Sequence, residues 1–250
     1  MSEAADGAAL DRDAFLAALR EDPVPALARV RDAARAGDVQ AQMLYAQMLC
    51  EGRGVPRDAV EGLHWHTLAA NSGHALAMNM VGRCHELGQG TPANAELAAA
   101  WYRKAAASGS LWGMYNFANL LATGRGVARD QAQAFALYRR AAEQGHAKSM
   151  NLVGRYYEEG WEVERDAASA LDWYRRSAEA GDFRGQASYA AILTQRGEMD
   201  EAAAWLRRAE ATGTLAFLEK LGAELAESPH APLREIGARM RERARAAQAA

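Results

Sequence analysis

Three groups of residues in this chain have types and spacings that suggest chemistry. The first is a glycine-rich string, Gly52-Arg53-Gly54-Val55-Pro56-Arg57-Asp58, which returns as Gly124-Arg125-Gly126-Val127-Ala128-Arg129-Asp130. Glycines and cations ahead of a helix N-terminus are what a phosphate cradle requires, because unpaired backbone N–H groups attract an anion there. The second is His64-Trp65-His66, a pair of imidazoles that invites a metal reading. The third is the two thiols, Cys50 and Cys84, the latter beside His85.

Each group fails its own test. A phosphate loop needs GxxxxGK[ST], or GxGxxG between a strand and a helix, and neither is present. Two histidines separated by one residue point about 200° apart on a helix, so they cannot share an ion. The two cysteines lie in different segments and are too few for a disulfide framework or a zinc site. His85 has no third ligand in view. There is no GxSxG elbow, and no cysteine has a histidine and an acid at a convincing distance along the chain. The expectation is no catalytic residue, no cofactor and no metal; the chain is not expected to be an enzyme.

The glycine string makes sense once the elements around it are considered. Gly37, Gly73, Gly109, Gly145 and Gly181 recur every 36 residues. Between them, large apolar residues (Tyr45, Val81, Phe117, Val153, Tyr189) each precede a small one (Ala46, Gly82, Ala118, Gly154, Ala190). Gly52, Gly88, Gly124 and Gly160 follow, then Asp58, Asn94, Asp130 and Asp166. Most copies close on an aromatic pair and two small residues, as in Trp101-Tyr102 with Ala105-Ala106. Apolar and small residues fall at three- and four-residue steps twice per unit, so each unit reads as helix, loop, helix. Such a period marks a stacked repeat, in which one pair cannot bury both of its faces. The loop glycines then end the first helix, and the acid or amide caps the second.

The predicted organisation is N-terminal capping helices in 1–36, with helices over 9–20 and 24–36 and Asp22 capping the latter. Repeats follow at 37–72, 73–108, 109–144 and 145–180. A fifth, 181–212, has its joint shortened to QRGEMD, and capping helices occupy 213–250. His66 stands where later copies have tyrosine, which predicts a packing role. His74 and His146 follow repeat glycines and read as turn residues.

The GxGVxxD loop, the W-Y-x-x-A-A-x-x-G ending and the 36-residue period resemble the Sel1-like repeat family, a branch of the tetratricopeptide-like α-solenoids. That resemblance implies an all-α, right-handed superhelix of antiparallel helix pairs. It also implies a non-catalytic scaffold or adaptor. Disulfide-rich members linked to β-lactam binding carry a cysteine pair in every repeat; this chain does not, so that activity is not carried over.

In such folds the first helix of each pair lines the concave face. Offsets 3, 6, 7 and 10 from each repeat glycine share one helical side and vary in character between copies. They hold Gln40, Met43 and Gln47, then Leu76, Asn79 and Arg83. Trp112, Tyr115, Asn116 and Asn119 follow, then Lys148, Asn151, Arg155 and Arg184. Asparagine both donates to and accepts from a peptide backbone, and Lys and Arg hold carboxylates. The expected function is a protein-interaction adaptor gripping a partner segment, its acidic part near Lys148, Arg155 and Arg184. The alternative is an immunity-type protein that tightly neutralises one toxic enzyme.

Bulk properties agree. The 250-residue chain is 50% hydrophobic and carries a net charge of −3. No general attraction to nucleic acid or anionic membrane follows from that balance. The basic segment around Arg234, Arg239, Arg241, Arg243 and Arg245 reads as a solvated capping helix and lacks the aromatics of a single-strand binder. The acidic N-terminus has no apolar run of about seven residues, so no secretory leader is expected. A cytoplasmic monomer is the expectation, and the alanine and arginine content hints at a bacterial source.

Overall fold

The computed structural model describes residues 23–248; the helix expected over 9–20 and the cap expected at Asp22 lie outside them. The described residues form thirteen α-helices and no strand, arranged as an all-α solenoid of stacked helix pairs. The chain divides into two compact units at Asp130/Gln131.

The first unit contains α1 (Pro23–Arg35), α2 (Val39–Glu51), α3 (Ala59–Asn71), α4 (Ala75–Leu87), α5 (Ala95–Ala107) and α6 (Leu111–Thr123). Each packs on the next, and α4 also meets α6. The second unit contains α7 (Gln131–Glu143), α8 (Ala147–Glu159), α9 (Ala167–Glu179), α10 (Phe183–Gln195), α11 (Met199–Thr212), α12 (Leu215–Ala226) and α13 (Ala231–Gln248). There α7 to α11 pack in succession, α8 also meets α10, and α13 pairs with α12 and returns to α11.

The helix ends follow from the repeated residues. Asp38, His74, Ser110 and Asp182 each accept the N–H three residues on, so the position after each repeat glycine is an N-cap. His74 does so through its ring Nδ1, a more specific role than a turn residue. Asp58 and Asp166 each cap their helix with one carboxylate oxygen on two backbone N–H groups. The first helices of the four full-length repeats end in left-handed glycines, for example Gly52 at φ 71°, whereas α10 ends at Arg196 in a right-handed conformation.

The second glycine of the joint is a stacking device. A Cβ on Gly90 would lie 2.1 Å from the Ala59 carbonyl oxygen, and one on Gly126 would lie 2.2 Å from that of Ala95. The joint of one repeat therefore presses on the start of the preceding repeat's second helix, and only a bare Cα fits. In the fourth joint this place is held by Glu162, the one described non-glycine residue with positive φ, at 57°.

Small residues elsewhere admit aromatic rings. A Cβ on Gly82 or Gly154 would come within 2.7 Å of the Tyr102 or Tyr174 ring. Tyr45 meets Trp65 edge-on at 5.6 Å, and Tyr189 meets Trp205 at 5.7 Å in the equivalent place of the second unit. At the C-terminal end, Leu218, Leu233, Ile236 and Met240 share one core with Tyr189 and Leu206. The basic helix α13 spends its arginines locally. Arg239 makes a two-pronged bond to Glu210, Arg243 donates to the Glu210 and Ala211 carbonyls at the end of α11, and Arg234 donates to Ser228 and Pro229. The Arg243 guanidinium at the open carbonyls of Glu210 and Ala211 satisfies the C-terminus of α11.

Candidate functional site

The residues singled out on the first helices of the first unit have unequal settings. Gln40 is exposed on α2, its amide 3.4 Å from the His74 ring. Gln47 donates to Glu51 one turn on, and Met43 is half-buried against the Ala69, Ala70, Ala77 and Val81 core. On α4, Leu76 is 45% exposed while Asn79 is buried, its oxygen accepting from the Asn116 amide of α6 at 2.9 Å. Asn79 and Asn116 thus bind neighbouring repeats to each other. Arg83 is exposed, and its charge reaches the Tyr102 hydroxyl. On α6, Trp112 lies edge-on to Tyr115 at 6.0 Å, and the Asn119 carbonyl accepts from Thr123.

In the second unit three of the chosen residues converge. Asn151 and Arg155 of α8 and Arg184 of α10 line one cleft of about 690 Å³. Its far wall is α12, through Thr214, Phe217, Lys220, Leu221 and Glu224, which sequence reasoning had treated only as a cap. No repeat register extends past residue 212, so periodicity held no signal for that wall. The Asn151 side-chain oxygen is buried without a hydrogen-bond partner. Arg155 stacks over Trp161 and Arg184 over Phe183, which holds both guanidiniums in place. Glu158 and Glu159 share the cleft, and Glu158 accepts from the Tyr174 hydroxyl at 2.6 Å. Burial, reinforced by that carboxylate, pushes the Tyr174 hydroxyl up and keeps it protonated. Lys148 of α8 is half-buried near His146 and Asp182, whose electrostatics it influences.

The tempting sites of the sequence also have places. The two glycine strings are interhelical joints. His66 is fully buried in packing while His64 is exposed, so they do not share an ion. Among the described residues no group of three or more His, Cys, Asp or Glu side chains is placed to hold a metal. No described helix is long and apolar enough to cross a membrane. One arrangement was missed. Folding sets the Cys50 sulfur of α2 against Gly62 of α3, where a Cβ would lie 2.5 Å from it.

The Sel1 repeat family matches residues 39–74, 75–110, 113–146 and 147–182. The chain belongs to the Sel1 repeat family. Among solved structures it is similar to a Sel1 repeat protein from Oxalobacter formigenes, at 26% identity and TM-score 0.79, covering 95% of this chain and all of the other. It is also similar to c5321, a protective antigen of uropathogenic Escherichia coli with the same fold, at 26% identity and TM-score 0.56, over 94% of this chain and 60% of that one. The immunity protein PA5088 of Pseudomonas aeruginosa shares the fold at 16% identity and TM-score 0.58, over 83% and 82%. No curated protein matches the sequence significantly. Sel1 repeat proteins are generally protein-interaction scaffolds.

Proposed function

We propose that this Sel1 repeat protein is a non-catalytic adaptor that holds a segment of a protein partner along its first helices. The supporting observation is the cleft of the second unit, where Asn151, Arg155 and Arg184 face α12. The unpaired Asn151 oxygen suits a backbone N–H of a bound segment. The guanidiniums of Arg155 and Arg184 suit carboxylates, and Phe217 and Leu221 suit an apolar side chain. Glu158, Glu159 and Glu224 balance Arg155, Arg184 and Lys220, so the fitting segment carries one or a few carboxylates rather than a long acidic run.

The test is capture from native lysate with wild type and with Arg155→Glu/Arg184→Glu, helicity and melting being compared in parallel. Loss of the captured set with unchanged folding supports the reading. Equal capture by both proteins overturns it. The similarity to an immunity protein is one of fold. The same capture separates the inhibitor reading, which expects one cognate enzyme held in a one-to-one complex instead of several partners.

A further inference from the structure

The cleft of the second unit has two unlike ends, because the three helices that wall it start at the same one. The Ser177 hydroxyl donates to the Ala147 carbonyl at the start of α8 at 2.8 Å. The Ser177 carbonyl accepts the N–H of Asp182, the N-cap of α10, at 3.1 Å. The Phe183 and Phe217 rings meet at 4.6 Å, so α10 and α12 also begin side by side. With the starts together, the height of a residue in the cleft is set by its place along its own helix, at about 1.5 Å per residue.

Charge is sorted along that axis. Arg184 is lowest, in the first turn of α10, and Glu158 and Glu159 are highest, in the last turn of α8. On both outer walls an acid lies one turn above a cation, Glu158 and Glu159 above Arg155 on α8 and Glu224 above Lys220 on α12. The helix dipoles add to the same gradient, since each start carries partial positive charge and each end partial negative charge. Asp182, at the start end, is buried and spends its carboxylate on capping α10.

These groups can meet a ligand. Arg155, Arg184, Lys220, Glu159 and Glu224 are all exposed. Stacking on Trp161 and Phe183 covers one face of each guanidinium and leaves the in-plane N–H groups to point outward. The Lys220–Glu224 pair, 4.0 Å apart on one exposed helix face, is too weak to hold the two away from a partner.

We propose that the cleft reads a charge-ordered segment of a protein partner, with carboxylates at one end, lysine or arginine at the other and an apolar side chain between. This rests on the adaptor reading above and adds the partner's cation and the order of its charges. The carboxylates lie on Arg184 and Arg155, the cation lies against Glu159 and Glu224, and the apolar group lies on Leu221 between them. From the level of Arg184 to that of Glu159 is roughly 16 Å of helix rise, which matches about five residues of extended chain. A uniformly acidic segment would set carboxylates against Glu159 and Glu224, and that like-charge contact lowers affinity.

The experiment measures fluorescence anisotropy of labelled, capped heptapeptides titrated with the full chain. The polarised peptide has two aspartates, a Leu-Phe-Leu centre and two lysines, and is made in both chain directions. An acidic peptide has aspartate for both lysines, and a neutral one has asparagine and glutamine for all four charges. Wild type should bind the better polarised peptide about tenfold more tightly than either control, a preference that shrinks in about 0.5 M salt. Glu159→Lys/Glu224→Lys should invert the ranking and bind the acidic peptide about tenfold more tightly than wild type does, a gain that misfolding cannot produce. Glu158 is left in place because it holds the Tyr174 hydroxyl. A polarised peptide that binds wild type no better than the neutral one, or a ranking unchanged in the glutamate variant, overturns the proposal. If the acidic peptide binds wild type best and Arg155→Glu/Arg184→Glu removes it, the charge order falls and the adaptor reading stands. If neither double variant changes peptide binding or lysate capture, both fall. Dimerisation of the chain alone in size-exclusion chromatography, abolished by Glu159→Lys/Glu224→Lys, would give the cleft to a second copy and likewise overturn the proposal.

Discussion

Glu162 shows what a single residue costs the repeat. Its three counterparts Gly54, Gly90 and Gly126 all have φ of 72°, and Glu162 is held at 57°. An L side chain in the left-handed region costs on the order of 1 kcal/mol. Glu162→Gly should therefore raise stability by about 1 kcal/mol in denaturant unfolding, despite the added freedom of the unfolded chain. A second residue-scale effect belongs to His146. Burial, with the Lys148 charge behind it, lowers this imidazole to about 4 from its ordinary 6.5. The unfolded chain then binds more protons between those values, so stability rises with pH in that window and is lost as pH falls through it. Asp182, raised by burial, works in the opposite sense nearby. The clean readout is the difference between wild type and His146→Asn, with the mutant showing a shallower loss of melting temperature from pH 6.5 to 4.

Between elements, tolerance depends on what a helix leaves out. Gly82 and Gly154 admit tyrosine rings, whereas Ala46 and Ala118 hold the same register in the other repeats. Gly82→Ala adds a Cβ 2.7 Å from the Tyr102 ring and should cost about 1–3 kcal/mol, measured by chemical denaturation. The helices and their caps were legible in the sequence because each cap is a local contact, three residues or fewer in reach, repeated in register. The close approach of Gly90 to Ala59 was not, because it joins different repeats and carries no local signature.

For the molecule as a whole, the C-terminal helices do two jobs in their unit. Leu218, Leu233, Ile236 and Met240 complete a core that includes Tyr189 and Leu206, and α12 forms the far wall of the cleft. Truncation after Thr212 should expose that core, increase binding of a hydrophobic dye, promote self-association in size-exclusion chromatography and abolish partner capture. A truncated chain that stays monomeric and still captures the same partners would contradict both roles.

The amino-acid order alone settled the period, the helix pairs, the caps and the all-α repeat class, because those depend on contacts a few residues long that recur four times. It also placed Asn151, Arg155 and Arg184 on the first helices α8 and α10, since their offsets repeat. Long-range packing settled the rest. It drew Asn79 into a bond with Asn116, supplied α12 as the opposite wall, and set the Cys50 sulfur against Gly62. Those contacts join side chains on different helices, and their partners are chosen by how the helices stack rather than by distance along the chain.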